Sequence, residues 1–369
     1  MDMILLVSTL IKIAFILVLI LTFNVVLLWV ERRLAAMIQD RIGPVRAGIP
    51  IFGYNLALKG LVQPVADAIK SLWKEDFVPP NADKFLHAMA PLVAVIPVIV
   101  AFAVIPFGSS LYLNHAFEVL PPEPTGRVIP LQVATMNFGI LFVFAMGGTG
   151  VVGSAIAGYS SNNKFSLVGG LRAAGQMVSY EVALGLSLVG CFMLYNTLLI
   201  EDMVRWQIEN VWGIFLQPIA FILFLTGSTA EMKRVPFDVP EAEAEIVGGF
   251  VLEYSGMKFA IFKMGEYFEL VLASAVIVVL FLGGHHLPGL TDRGIDFLGF
   301  AQPLWHGAVV AIHLGVFLVK LVLVLWLQFM IRWTIPRFRY DQIMKLSWRY
   351  MLPLALLNIF VTGVVIMAL

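Results

Sequence analysis

Residues 233–256 read KRVPFDVPEAEAEIVGGFVLEYSG and hold five acids, Asp238, Glu241, Glu243, Glu245 and Glu253. The apolar run among them, IVGGFVL, argues against a free solvated loop. Carboxylates held partly out of water and near one another bind protons more tightly, because burial and like charge both disfavour the ionised form. A set of such coupled acids can accept and pass protons. A solvated acidic helix start is the plainer alternative. Pro236 and Pro240 bracket Phe237, Asp238 and Val239, which predicts irregular backbone there. Pro240 is placed to begin a helix with Glu241 in its first turn. That helix would set Glu241 and Glu245 on one face and turn Glu243 away.

More ionisable groups sit inside apolar runs: Glu181 in QMVSYEVALG, Glu231, Lys263, Glu266, Glu269 and Lys320. A charge at membrane depth costs at least about 2.5–3.5 kcal/mol, so such groups face a bundle interior and find partners there. Lys263 and Glu266 are three apart and can pair locally. Glu181 and Lys320 have no local partner, which points to a polar pathway. Basic groups flank the acids: Arg32 and Arg33, Arg41 in QDRIGP, Lys233 and Arg234, and Arg337 and Arg339 in PRFRYDQ. Most of these fit ordinary membrane topology. Arginine beside proline and aromatics, as in RVPFD and PRFRYD, reads as a built site.

These groups must be positioned by a chain that is 60% hydrophobic and only 13% charged over 369 residues, with mean hydropathy +0.91. A soluble domain is about a quarter charged. The class is an all-α integral membrane protein. Spanning helices need about 20 mostly apolar residues. Eight stretches qualify, near 3–30, 85–106, 131–157, 172–199, 211–231, 257–284, 307–331 and 350–368. The first is too long for a signal-peptide core and reads as a spanning helix. No long linker or internal repeat divides the chain, so residues 1–369 are expected to form a single polytopic domain. The loops after the odd-numbered helices hold 18 Lys and Arg, against 3 after the even-numbered ones. The positive-inside rule then places the odd loops in the cytoplasm and both termini outside.

The first cytoplasmic loop, 31–84, is long for a connection and is expected to be structured. Asn55, Lys59, Gln63, Asp67, Lys70 and Lys74 recur every three or four residues among apolar neighbours. That pattern predicts an amphipathic helix bent at Pro64, lying on the membrane surface or walling a cavity.

Other chemistry is excluded. The net charge is zero, which argues against a nucleic-acid partner. Cys191 is the one cysteine, too few for a disulfide or a cysteine-ligated cluster. Electron carriers, if any, must sit on partner chains. The six histidines show no metal-binding spacing. GTGVVG at 148–153 matches a dinucleotide fingerprint but falls inside a spanning helix, where its small residues suit close helix packing.

WVERRLAAMIQDRIGP (29–44), LVQPVADAIKSLWKED (61–76), QMVSYE (176–181), EMKRVPFDVPEAEAEIVGGFVLEYSG (231–256), KMGEY (263–267) and PRFRYDQIMKLSW (336–348) together resemble the H subunit of bacterial NADH:quinone oxidoreductase, the counterpart of NADH dehydrogenase subunit 1 in mitochondrial complex I. The resemblance covers essentially the whole chain, in order, and is weakest over 107–130. It implies a subunit at the heel of the membrane arm, in the bacterial inner membrane among the other membrane-arm and hydrophilic-arm subunits. Such a subunit contributes much of a quinone-access tunnel and binds no cofactor of its own. Quinone is the substrate, and flavin and iron–sulfur clusters belong to partners. Carried over by residue, Glu31, Arg32 and Arg41 match the tunnel entrance, and Asp67 the amphipathic helix lining it. Arg234 and Asp238 match the cavity wall, and Arg337 the far side of the entrance. Glu181, Glu231, Asp238, Glu241, Glu243, Glu245 and Glu253 match an acidic path toward the pumps. Lys233 is assigned no role. The nearest competing reading is the homologous membrane subunit of an energy-converting hydrogenase, which uses no quinone.

Overall fold

The structure is a computed structural model and describes the chain apart from residues 1–2, 46, 52–53, 57, 116–117, 120, 122–127, 292–293, 298–299 and 369. Helix α1, Met3–Ile38, is 36 residues long. At about 1.5 Å per residue it outruns a hydrocarbon core of about 30 Å. Its last turns therefore carry Glu31, Arg32 and Arg33 beyond the apolar layer.

The first long loop departs from the predicted helix. Ile49–Ile51 (β1) and Tyr54–Leu56 (β2) pair as an antiparallel hairpin, which includes Asn55. Only Gln63–Trp73 forms the amphipathic helix, α2. Pro64 opens α2 instead of bending it. Proline lacks the N–H that a first helical turn leaves unpaired anyway, so that is where it costs least.

The bundle follows. Asp83 caps α3, Lys84–Ala101, accepting from Phe85 N and Leu86 N at 3.1 Å. Beyond it, Leu111–Tyr112 (β3) and Val128–Ile129 (β4) pair. Helix α4, Gly139–Ser160, packs tightly on α3, where a Cβ on Gly153 would lie 2.6 Å from Ala94 N. The predicted packing role of the GTGVVG glycines holds at that residue. Helix α5, Lys164–Tyr195, is capped by Asn163 and leads to the short α6, Ile200–Glu209.

The predicted span 211–231 is broken. Gly213–Leu216 (α7) ends at Gln217, whose φ of −130° and ψ of 56° leave the helical region, and Pro218–Glu231 (α8) restarts at Pro218. The residue before proline is sterically pushed out of the helical conformation. Glu231 ends α8. After α9, Glu243–Ile246, comes the central α10, Gly256–Phe281. From Leu270 to Phe281 every α10 residue except Ala273 is buried. Three short strands, Leu290–Thr291 (β5), Gly294–Phe297 (β6) and Phe300–Pro303 (β7), form an antiparallel sheet before α11, His306–Thr334. The chain closes with α12, Tyr340–Lys345, a π-helical turn, Leu346–Met351, and α13, Leu352–Ala368. The α13 side chains Asn358 and Thr362 bond Gln217 at 2.8 and 2.9 Å, holding the break between α7 and α8.

Seven helices among the described residues are long and apolar enough to cross a membrane, and α8 is an eighth, shorter apolar helix of 14 residues. Lys320 of α11, which has no local partner in the sequence, finds partners across the bundle. Its ammonium donates to the carbonyls of Leu282, Gly284 and His286 at 2.6, 3.1 and 2.5 Å, where α10 ends. A helix end leaves acceptors without partners, and a buried cation satisfies them.

Candidate functional site

The acidic stretch folds back on the bundle as a tight loop. Val247, Gly248 and Gly249 take positive φ in succession, reversing the chain after α9. A Cβ on Gly249 would lie 1.7 Å from the Pro240 carbonyl, and one on Gly169 of α5 would lie 2.6 Å from Gly249 Cα. Only glycines let the loop close and α5 approach it.

This geometry disperses the acids instead of stacking them on a helix. Pro240 and Glu241 lie in a turn, and the helix begins only at Glu243. Glu241 turns inward to Lys263 of α10 at 2.5 Å. Glu245 points the other way, to Arg172 of α5 at 2.6 Å, and remains half exposed. Glu253 accepts from Asn163 Nδ2 at 2.7 Å. The predicted shared face of Glu241 and Glu245 is therefore absent, because one helical turn is too short to align them. The side chain of Glu243 lies outside the described residues.

The inward contacts form a series of charged pairs across five segments, α1, α2, α10, α11 and the loop after α8. Asp67 of α2 pairs with Arg32 of α1 at 2.5 Å. Its neighbour Glu31 takes Arg332 of α11 at 2.6 Å, Arg234 at 3.3 Å and the Tyr267 hydroxyl at 2.9 Å. The Arg234 guanidinium also lies 4.2 Å from the Tyr267 ring centroid, a cation–π contact. Next to Tyr267, Glu266 accepts from Lys263 at 2.8 Å, and Lys263 bridges to Glu241. Arg337 donates to the backbone carbonyl of Asp238. The Asp238 carboxyl has a buried oxygen, Oδ1, with no hydrogen-bond partner. Arg41 stands apart, exposed beyond the end of α1, bonded to Gln39 at 2.7 Å.

Burial pushes the Asp238 carboxyl up to about 6, against the opposing pull of Arg337 and Lys263. Burial, reinforced by Glu266, pushes Glu241 up to about 8 despite its lysine partner. Both acids thus bind protons more tightly than an ordinary carboxylate.

One turn beyond Glu266 along α10 lies Glu269, beside a cavity that Glu231 also lines. Glu181 faces Gly148 of α4, where a Cβ would lie 2.6 Å from its Oε1. The expected path residues Glu181 and Glu231 thus both reach α4, at the adjacent Gly148 and Gly147. Among the described residues no cluster of three or more His, Cys, Asp or Glu is placed to hold a metal ion.

Sequence reasoning places Glu31, Arg234 and Asp67 at a site but misses Arg332 and Tyr267, which complete the shell of Glu31. In the sequence Arg332 reads as one more topological charge, and Tyr267 lies in KMGEY without a visible partner. Lys263, Glu266 and Glu269 stand out as intramembrane charges, and their helical spacing of three is the available signal.

The sequence matches the NADH dehydrogenase family over residues 11–363. The chain belongs to that family. It is 44% identical over 356 residues to an H subunit of NADH-quinone oxidoreductase from Geobacter metallireducens, covering 96% of this chain and 95% of that one. It is 40% identical over 339 residues to an H subunit of the same enzyme from Cytophaga hutchinsonii, covering 92% and 91%. It is 41% identical over 343 residues to the one from Flavobacterium psychrophilum, covering 91% and 90%. Family membership thus spans the helices that carry every group of the charged pairs.

Proposed function

We propose that this chain is the membrane subunit of a bacterial NADH:quinone oxidoreductase that walls the quinone-access tunnel and couples quinone reduction to proton translocation. The observation that carries this reading is the series of pairs Asp67–Arg32, Glu31 with Arg234 and Tyr267, and Glu266–Lys263–Glu241, brought near one another by the shared helices α1 and α10. It joins α1, α2, α10 and the loop before α10. Such a series suits a site where charge appears and must be passed on. The names of the relatives support the quinone, and none of those named above belongs to a hydrogenase.

In this reading quinone enters along apolar walls near α1 and α2. Reduction to quinol takes two electrons from carriers on partner chains and two protons. Arg234 and Arg337 stabilise negative charge developing beside them, and Asp238 with Glu241 supplies or senses the protons. The proton deficit then passes to Glu231 and Glu181, and on to neighbouring pump subunits. Flavin and iron–sulfur clusters sit on the hydrophilic partners. The chain resides in the inner membrane with both termini outside, which places the charged loops on the cytoplasmic side with the hydrophilic arm.

The test is NADH:quinone reduction in membranes carrying Asp238→Asn, with NADH:ferricyanide reduction as the control for assembly. Loss of quinone reduction with ferricyanide reduction intact supports the site. Survival of both removes Asp238 from it.

A further inference from the structure

The glycines of the rejected nucleotide motif remain to be accounted for. Gly153 serves packing against α3. Gly148 and the preceding Gly147 each face a carboxylate, and Gly150 faces both a carboxylate and the Ala94 carbonyl of α3. A Cβ on Gly147 would lie 3.2 Å from Glu231 Oε1, one on Gly148 2.6 Å from Glu181 Oε1, and one on Gly150 3.7 Å from Glu269 Oε1. The three acids come from three different helices, α8, α5 and α10. Glu231 lies within electrostatic reach of both others. Between Gly147, Phe144, Met177, Phe224, Glu231 and Glu269 is a cavity with about 50 Å³ of room for water. One water needs roughly 10–15 Å³ measured this way, so a few fit. Glu269 Oε2 is buried beside this cavity and has no hydrogen-bond partner.

We propose that Glu269 is an additional proton-exchanging carboxylate of this subunit, set with Glu231 around a gap with room for water that Gly147 of α4 helps keep open. The proposal rests on the coupling role given above and adds a station to it. Two carboxylates on one cavity at membrane depth, with Lys233 as the cation near both, are costly to hold charged together. The cluster therefore carries protons and redistributes them. A proton leaving Glu231 through cavity water is accepted by an ionised Glu269, so one O–H bond breaks and one forms with no change in total charge. Glu269 also lies one turn from Glu266, which belongs to the Lys263–Glu241 group. It is thereby the link between the charged pairs and the deeper acids.

The experiment compares Glu269→Gln, Glu269→Asp and Glu241→Gln in the assembled complex. Coupled NADH:quinone turnover and proton uptake into vesicles are measured, with ferricyanide reduction as the assembly control. Glu269→Gln is expected to slow coupled turnover about tenfold or more, a modest share of what positioned proton-transfer groups contribute. Glu269→Asp keeps the acid and is expected to restore most of it. If Glu269→Gln turns over like wild type while Glu241→Gln is slow, the inference falls and the function stands. If both are like wild type, the coupling role falls and takes the inference with it. Should Glu269→Gln fail to assemble, the infrared difference spectrum of quinone reduction decides. A carboxyl signal that shifts in Glu269→Asp supports proton exchange there, and an unchanged spectrum overturns it.

Discussion

Lys263 reaches Glu241 at 2.5 Å across 22 residues of chain, and the same ammonium holds Glu266 at 2.8 Å. One cation thus locks the acidic loop onto α10. Removing one partner of a fully buried pair costs about 3–5 kcal/mol by leaving the other charge uncompensated, and solvent at the one-third exposed Lys263 reduces that cost here. Lys263→Met is therefore expected to lower the amount of assembled complex. Adding Glu241→Gln to it should recover part of the loss, since one uncompensated acid is then gone. Native-gel band intensity with ferricyanide activity across the double-mutant cycle reads this coupling. Simple additivity of the two single effects would refute it.

Asp238 and Glu241 give the loop a pH dependence. Both bind their protons more tightly in the folded protein than an ordinary carboxylate does, up to about 6 and about 8. Between the ordinary value of about 4 and those raised values the docked loop holds more protons than the released one. Stability present at acid pH is then lost as pH rises through the window, first at Asp238 and then at Glu241. Arg337, Lys263 and Arg332 oppose this at Asp238, as Lys263 does at Glu241, while Glu266 adds to it at both. Hydrogen exchange of residues 237–247, corrected for the intrinsic pH effect, is expected to quicken from about pH 5 to about pH 9. Asp238→Asn should flatten the lower part of that rise, and a rise identical in the variant would count against Asp238 as its source.

The spans are readable because a bilayer demands long apolar runs, yet some ends move by eight residues: α1 runs to Ile38 against an expected 30, α4 begins at Gly139 against an expected 131, and α5 begins at Lys164 against an expected 172. Breaks are harder. Gln217–Pro218 interrupts a run that hydropathy alone treats as continuous, and the signal is the proline itself. The hairpin around Asn55 hides behind a helical polar spacing that the chain does not use. The acids are legible as a group, yet their separation depends on the positive φ values of Val247, Gly248 and Gly249. Glu31 is legible as a tunnel residue through resemblance. Its partners Arg332 and Tyr267 lie more than 230 positions away, and no local pattern encodes such a meeting.

Glu31 is a hub of contacts because two guanidiniums and a phenol converge on it. Glu31→Gln keeps the shape and removes the charge, leaving Arg234 and Arg332 to repel each other. Quinone turnover is expected to fall about tenfold, since a hydrogen-bonded charge pair contributes roughly 1.5–3 kcal/mol. Ferricyanide reduction should persist. Arg332→Gln, which leaves Arg234 paired with Glu31, should be the milder change. Titrating quinone in both variants checks the order, and a harsher Arg332→Gln would contradict the hub.

The two ends of GTGVVG should separate packing from chemistry. At Gly153 an added Cβ meets the Ala94 backbone at 2.6 and 2.7 Å. Backbone cannot swing aside, so α3 and α4 must move apart. Gly153→Ala is expected to lower assembly and both activities together. At Gly148 the added Cβ meets only Glu181 Oε1, the far end of a flexible side chain. That carboxylate can rotate away within a staggered rotamer at small cost. Gly148→Ala should therefore assemble and keep ferricyanide reduction, yet translocate fewer protons per quinone reduced, because Glu181 is displaced from its position against α4. Equal assembly loss in both variants would make Gly148 a packing glycine like Gly153. Full proton translocation in Gly148→Ala would show that the placement of Glu181 is not critical to the path.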